Sequence, residues 1–285
     1  MIARPQISRE LTLFRNAIAL TIAGSDPSGG AGLQADLKTF QQIGAYGMGV
    51  VTLLTVQNTK GVQAIELLSP DFVLAQIDAV VSDIPPRAAK TGALGSVSII
   101  EAVADRAKDF TFPLIVDPVM VSKHGHMLLP EEAVDAIAKK LMPRAFLVTP
   151  NRFEAERLTG TSIDVDDPRT VADAISFLHE LGAKNVLLKL GEVSGGSINV
   201  LGLGRENIAF KLPRLDSNNT HGTGCALSAA IVAGLAIGRD LKWSVDHAIR
   251  AIYYGIELGQ PIGSGLHPIE FSAIPYGLDD HGVIA

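Results

Sequence analysis

One cysteine, Cys225, stands among the 285 residues. A lone thiol excludes an internal disulfide and any cysteine-rich zinc site. Charge is thin as well: 19% of residues are charged, the formal net charge is −6, and lysine and arginine never gather into a run. Nucleic acid and anionic membranes are poor partners for such a chain. No stretch reaches the ~18 uninterrupted apolar residues of a membrane span. The opening, with Arg4, Arg9, Glu10 and Arg15, contains no signal-peptide core. The expectation is a soluble, cytoplasmic protein. Internal repeats, a Pro/Ser linker and a Gly-Lys-Ser/Thr P-loop signature are also missing.

What is present suits a large core. Apolar residues make up 47% of the chain, and 28 glycines punctuate it. Apolar runs with strand character fall at 17–23, 48–56, 62–67, 114–116, 145–148 and 185–190. A hairpin is expected over 197–201 and 208–212. Helical patterns fall between them at 33–43, 70–81, 97–107, 130–141, 152–158, 168–181, 223–237 and 243–258. Residues 1–15 carry no pattern and read as an extension to one domain over 16–285. Strand–helix alternation of this kind predicts an α/β fold, with a mostly parallel sheet and helices on both faces. Ligands of such sheets lie beyond the carboxyl ends of the strands. Gly24-Ser25-Asp26, Gln57-Asn58, Asp117, Asn151 and Lys189 all fall at such ends.

Thr220-His221-Gly222-Thr223-Gly224-Cys225 leads into an apolar segment that meets no charged residue before Arg239. A turn opening a buried helix leaves backbone N–H groups unpaired at the positive end of the helix dipole. Glycines let an anion approach that backbone. The same turn reads equally as a packing device around a buried thiol. At a helix start the Cys225 thiol is expected to have a lowered pKa. Gly30-Ala31-Gly32-Leu33-Gln34-Ala35 fits the dinucleotide pattern weakly, because the second strand ends in Gln57-Asn58 and not in an acid. Asn151 with Glu154 three residues on is either a capping box or a pair turned toward magnesium through its waters. Lys189 is either a phosphate partner or a strand-end surface lysine. His124-Gly125-His126 has no third metal ligand at suitable spacing and reads as a loop.

Several stretches together resemble one family. They are 19–38 (Ala-Leu-Thr-Ile-Ala-Gly-Ser-Asp-Pro-Ser-Gly-Gly-Ala-Gly-Leu-Gln-Ala-Asp-Leu-Lys), Val56-Gln57-Asn58-Thr59, Ala89-Lys90-Thr91-Gly92, Val116-Asp117-Pro118-Val119-Met120, Thr149-Pro150-Asn151 and Asn219-Thr220-His221-Gly222-Thr223-Gly224-Cys225. This set is similar to the hydroxymethylpyrimidine/phosphomethylpyrimidine kinases, and the likeness runs over 18–271. It implies a ribokinase-like three-layer α/β sandwich that uses ATP and Mg2+ to phosphorylate one pyrimidine twice, for thiamin diphosphate. It implies that Gly222, Thr223 and Gly224 form the anion hole, with Cys225 as the base or as part of that hole. Gln57, Gly24 and Asp36 would hold the pyrimidine, Asp117 and Lys189 would lie near the nucleotide phosphates, and Asn151 and Glu154 would organise the metal. A homodimer is implied by the same analogy. The sequence departs from the family where Lys123-His124-Gly125-His126 replaces a common Lys-Ser-Gly-Asp, and where Lys189-Leu190-Gly191-Glu192 replaces a common Lys-Gly-Gly-His. The rival readings are a pyridoxal-type vitamin kinase and a pyrimidine-binding sensor without catalysis.

Overall fold

The computed structural model describes residues 16–274 except 122–124, 126, 127 and 194. The expected extension 1–15 and the histidines His124 and His126 lie outside the described residues. In chain order the elements are β1 (Ile18–Ser25), α1 (Gly32–Ile43), β2 (Tyr46–Asn58), β3 (Gly61–Leu67), α2 (Pro70–Asp83), β4 (Ala88–Thr91), α3 (Val97–Arg106), β5 (Leu114–Val116), α4 (Glu132–Ala136), β6 (Leu147–Val148), α5 (Arg152–Thr159), α6 (Pro168–Glu180), β7 (Asn185–Val193), β8 (Gly196–Leu203), β9 (Glu206–Leu212), α7 (Thr223–Ala236) and α8 (Leu241–Glu257). The expected helix over 130–141 is α-helical only through α4. It then widens into a π turn, Ile137–Leu141, and tightens into a 3-10 turn, Met142–Arg144. Pro143 has no N–H to continue a regular ladder.

The strands form one sheet in the order β3-β2-β1-β4-β5-β6-β7-β8-β9. From β2 through β7 neighbouring strands run parallel, and β3, β8 and β9 add antiparallel edges. The period-2 alternation of side chains builds a core on each face. On β1, Leu20 and Ile22 join the core under α2–α6, while Ala17 (just before the strand) and Ala19 join the one under α1, α7 and α8. On β7, Val186 and Leu188 face the first core and Leu187 the second. Helix α7 is apolar all round because it lies between sheet and α8, with Ile231 and Val232 fully buried. Burying each such side chain stabilises the fold by about 1.5–3 kcal/mol. No helix among the described residues is long and apolar enough to cross a membrane.

Parallel strands bring their carboxyl ends to one edge, and pairing breaks there at three places. Register shifts fall between Ala23 and Ser25 on β1, Val56 and Gln57 on β2, and Lys189 and Gly191 on β7. Such irregularities re-aim side chains. Here they flank Gly24, Gln57 and Lys189, all expected at the site.

Candidate active site

The glycine-rich loop after β1 is folded by one carboxylate. Asp26 Oδ1 accepts from the Ser28 N–H at 2.9 Å and the Ser28 hydroxyl at 2.7 Å. Its Oδ2 accepts from the Ala31 N–H at 2.9 Å and meets His221 Nε2 at 2.8 Å. Burial pushes the Asp26 carboxyl up, but the bonds from His221 and Ser28 outweigh it and hold the group below the usual carboxylate range. The loop is thereby fastened to the turn that opens α7. Contact between the two is close: Gly222 has φ 81°, and a Cβ there would stand 1.8 Å from the Gly30 carbonyl oxygen. Only glycine satisfies both the backbone and the space.

Helices α1 and α7 start without a side-chain cap, whereas Ser69, Ser96 and Asp240 cap α2, α3 and α8. An uncapped start leaves N–H groups for a ligand, although at α7 that of Thr223 donates weakly to the Thr220 carbonyl oxygen at 3.4 Å. Above the start of α7 hangs an amine. Lys189 Nζ lies 3.5 Å from the place a Cβ on Gly224 would occupy. Asp117 holds it, with Oδ1 3.0 Å from Nζ. The Thr149 and Ser228 hydroxyls donate to the two oxygens of the same carboxylate, each at 3.2 Å. Burial works against the Lys189 ammonium, yet Asp117 and Glu154 more than offset it, so the amine stays charged.

Asn151 and Glu154 form the complete capping box of α5. Each backbone N–H donates to the other's side chain at 2.9 Å. Burial pushes the Glu154 carboxyl up to about 7, Lys189 pulls it back, and Asp117 adds to the rise. Glu154 also accepts from the Met120 N–H. Both backbone bonds occupy the carboxylate, and no cluster of three His, Cys, Asp or Glu among the described residues makes a metal cage. The pair fits magnesium held through water and nucleotide phosphates, as that ion prefers, and does not fit a protein-only site.

The Cys225 thiol differs from expectation. Burial pushes it up to about 11, against the pull of Lys90 and of the Gly32 N–H, while Asp36 and Asp117 push the same way as burial. The shift runs opposite to the one expected at a helix start, and a thiol with a pKa of about 11 is protonated near neutral pH. Asp36 is also displaced from its expected place. It lies wholly buried, accepting from the Thr21 hydroxyl at 2.6 Å and pairing with Lys90 Nζ at 2.9 Å. It is not among the residues lining the cavity, whereas Lys90 is.

Gly24, Gln57, Asp117, Asn151, Glu154, Lys189, Gly222, Thr223, Gly224 and Cys225 all line one cavity of about 630 Å³. At its β2 end Gln57 Oε1 accepts from the Thr55 hydroxyl at 3.1 Å. At the other end Leu212, Pro213, Leu215, Ile249 and Ile252 provide apolar walls suited to a flat base. Sequence reading gave no role to Lys90, His221 or Asp26. The available signals were a lysine inside an apolar strand and an acid just before a glycine run.

A buried helix start beneath a fixed amine, beyond the carboxyl edge of a parallel sheet, handles transferable phosphate. The fold and the site define a phosphotransferase of the ribokinase-like class. The family model for phosphomethylpyrimidine kinase matches residues 26–270, and the chain belongs to that family. It is 41% identical to the hydroxymethylpyrimidine/phosphomethylpyrimidine kinase of Streptomyces coelicolor, over 89% of this chain and 93% of that one. It is 46% identical to the thiamine biosynthesis bifunctional protein ThiED of Geobacter sulfurreducens over 90% of this chain, which spans 52% of that longer protein. Among solved structures it is similar to phosphomethylpyrimidine kinase from Clostridium difficile, with TM-score 0.74, 41% identity and coverage of 83% of this chain and 97% of that one. Pyridoxal kinase from Bacillus subtilis in an ADP complex gives TM-score 0.82 at 34% identity, covering 90% and 97%.

Proposed function

We propose that the protein transfers the γ-phosphoryl group of ATP to the hydroxymethyl group of 4-amino-5-hydroxymethyl-2-methylpyrimidine, and then phosphorylates the monophosphate. The observation that carries this reading is the Lys189 amine held over Gly224 at the start of α7, in one cavity with the Gln57 carboxamide. Gln57 presents a donor and an acceptor to the aminopyrimidine edge. Gly24 keeps that wall low, since a Cβ there would press 2.6 Å from Leu53 Cδ1. The first-turn N–H groups of Gly222, Thr223 and Gly224 receive the charge on the moving phosphoryl group, which needs positioned donors more than covalent help. Lys189, steadied by Asp117, adds fixed positive charge beside them. Asn151 and Glu154 orient the water shell of Mg2+, which neutralises the nucleotide phosphates when bound. Cys225 stands at the hole as a thiol, and Asp36 is paired with Lys90, which lines the same cavity.

ADP release measured with the pyrimidine, and then with its monophosphate, tests the proposal. Release with neither substrate overturns it. Competition between the pyrimidine and pyridoxal in the same assay tests the second reading, which the similarity to pyridoxal kinases favours. The protein is also proposed to be a homodimer. Leu54 and Val56, on one face of the edge hairpin β2–β3, are 47% and 55% exposed, an apolar patch suited to a second copy. Sedimentation at micromolar concentration reads this directly.

A further inference from the structure

Three segments far apart in the chain meet at His221. Its Nε2 donates at 2.8 Å to Asp26, an anion that can only accept. Its backbone N–H donates to the His267 carbonyl oxygen at 2.9 Å, and the His267 N–H donates to the Asn218 carbonyl oxygen at 3.1 Å. A Cβ on Gly30 would stand 2.4 Å from His221 Cδ2 and 3.2 Å from Pro268 Cβ. The segment 263–268 therefore lies against both the glycine-rich loop and the turn into α7. Its other end holds the tip of the β2–β3 hairpin. The Leu266 N–H donates to the Thr59 carbonyl oxygen at 2.9 Å, and the Gly265 N–H donates to the Thr59 hydroxyl at 3.2 Å. A Cβ on Gly265 would stand 1.9 Å from that carbonyl oxygen, so only glycine allows this approach. Just past the segment, Ile269 is buried in the core under α1, α7 and α8 and anchors it.

We infer that Thr59 and His221 are positioning residues of the phosphoryl-transfer site, joined by the strap 263–268 into one frame that fixes the distance between Gln57 and the anion hole. The inference rests on the kinase reading for what is positioned. Gln57 stands two residues before Thr59, and Gly222 directly follows His221, so each anchor adjoins a working part of the cavity. Those parts belong to different elements, β2 and α7. Strand β1 pairs with β2 only as far as Leu54, so beyond it the hairpin projects past its neighbour and the strap supports the tip. Transfer requires the acceptor oxygen and the phosphoryl group about 3–3.5 Å apart and in line. A tip free to swing would carry the pyrimidine out of that range. The strap removes the freedom by bonding at one end to the hairpin and at the other to the turn that opens α7.

Variants at the two ends of the full-length protein test the frame. Gly265→Ala forces the strap off the hairpin tip, and His221→Phe keeps a ring but loses the bond to Asp26. Each should lower kcat/KM for the pyrimidine about a hundredfold, the cost of an ångström-scale misplacement, with the KM for ATP unchanged. His221→Gln places a carboxamide N–H near the position of Nε2 and should regain most of that loss. Because both ends act through one frame, the double variant of Gly265→Ala and His221→Phe should be little worse than the poorer single one. Losses that multiply, or variants that melt earlier with normal kinetics, overturn the inference. Hydrogen exchange gives a second reading without substrate. The Ser28 and Ala31 N–H groups bond to Asp26, and freeing the strap at Gly265 should speed their exchange on the order of tenfold. Unchanged protection overturns the inference as well. Thr59→Val removes the hydroxyl that accepts from Gly265, and it replaces Gly265→Ala in both measurements if alanine there prevents folding. An unaltered protein that releases no ADP with the pyrimidine fails the kinase reading alone, and the exchange result then decides the frame by itself.

Discussion

Gly222 joins two parts of the site at a single residue. Its positive φ and its contact with the Gly30 carbonyl mean that any side chain must move the glycine-rich loop. Gly222→Ala should lower the melting temperature by at least about 4 °C, the equivalent of roughly 2 kcal/mol in a domain of this size. Turnover should fall about a hundredfold as the anion hole opens. A variant with both values unchanged would show that the two turns are not in contact. Gln57 is a simpler case. Gln57→Leu keeps the bulk and removes both polar groups, so the KM for the pyrimidine should rise roughly 10- to 100-fold while that for ATP stays put. Steady-state kinetics with each substrate varied in turn checks this, and an unchanged pyrimidine KM removes Gln57 from the site.

Helix α5 shows how one element serves two purposes. Asn151 caps it, and the same residue lines the cavity. Asn151→Ala should therefore cost about 1 kcal/mol of stability and also raise the magnesium concentration needed for half-maximal turnover. Asn151→Ser retains a capping oxygen and should restore stability without restoring the magnesium response. If serine restores both, the residue is a cap and nothing more. At this scale much was legible beforehand, since the β–α alternation, the edge hairpins and the buried α7 all follow from apolar periodicity. The π turn at Ile137–Leu141 was not, because periodicity cannot distinguish a wide turn from a regular one. The site divides in the same way. Glycines and strand-end polar residues mark themselves locally, whereas Lys90 has meaning only with Asp36, 54 residues away. The raised pKa of the thiol is not legible in the sequence, because a helix start is local whereas the Asp36 and Asp117 carboxylates that add to the rise are distant in the chain.

At the scale of the whole molecule, His247 ties stability to acid. His247 on α8 is buried, stacks on Trp243 at 4.6 Å between centroids, and has no hydrogen-bond partner for either ring nitrogen among the described residues. Burial pushes its pKa down from 6.5 to about 4, with Asp246 opposing and Arg239 assisting the drop. Above pH 6.5 both folded and unfolded chains hold a neutral ring, so this residue adds no pH dependence. Between 6.5 and about 4 only the unfolded chain takes up the proton, and stability is lost by up to about 3 kcal/mol. Denaturant titrations at stepped pH should show that slope, and His247→Phe should flatten it. An equal slope in both proteins would assign the acid sensitivity elsewhere.

The bond between Asp26 and His221 spans 195 positions of the chain. A ribosome adding about 5–20 residues per second needs roughly 10–40 s to travel that distance. During that time the sheet can begin to form around β1, but the glycine-rich loop waits for its partner. The chemistry of the cavity is thus withheld until the segment around His221 has emerged, and a chain stopped short of it has no means of turning over ATP.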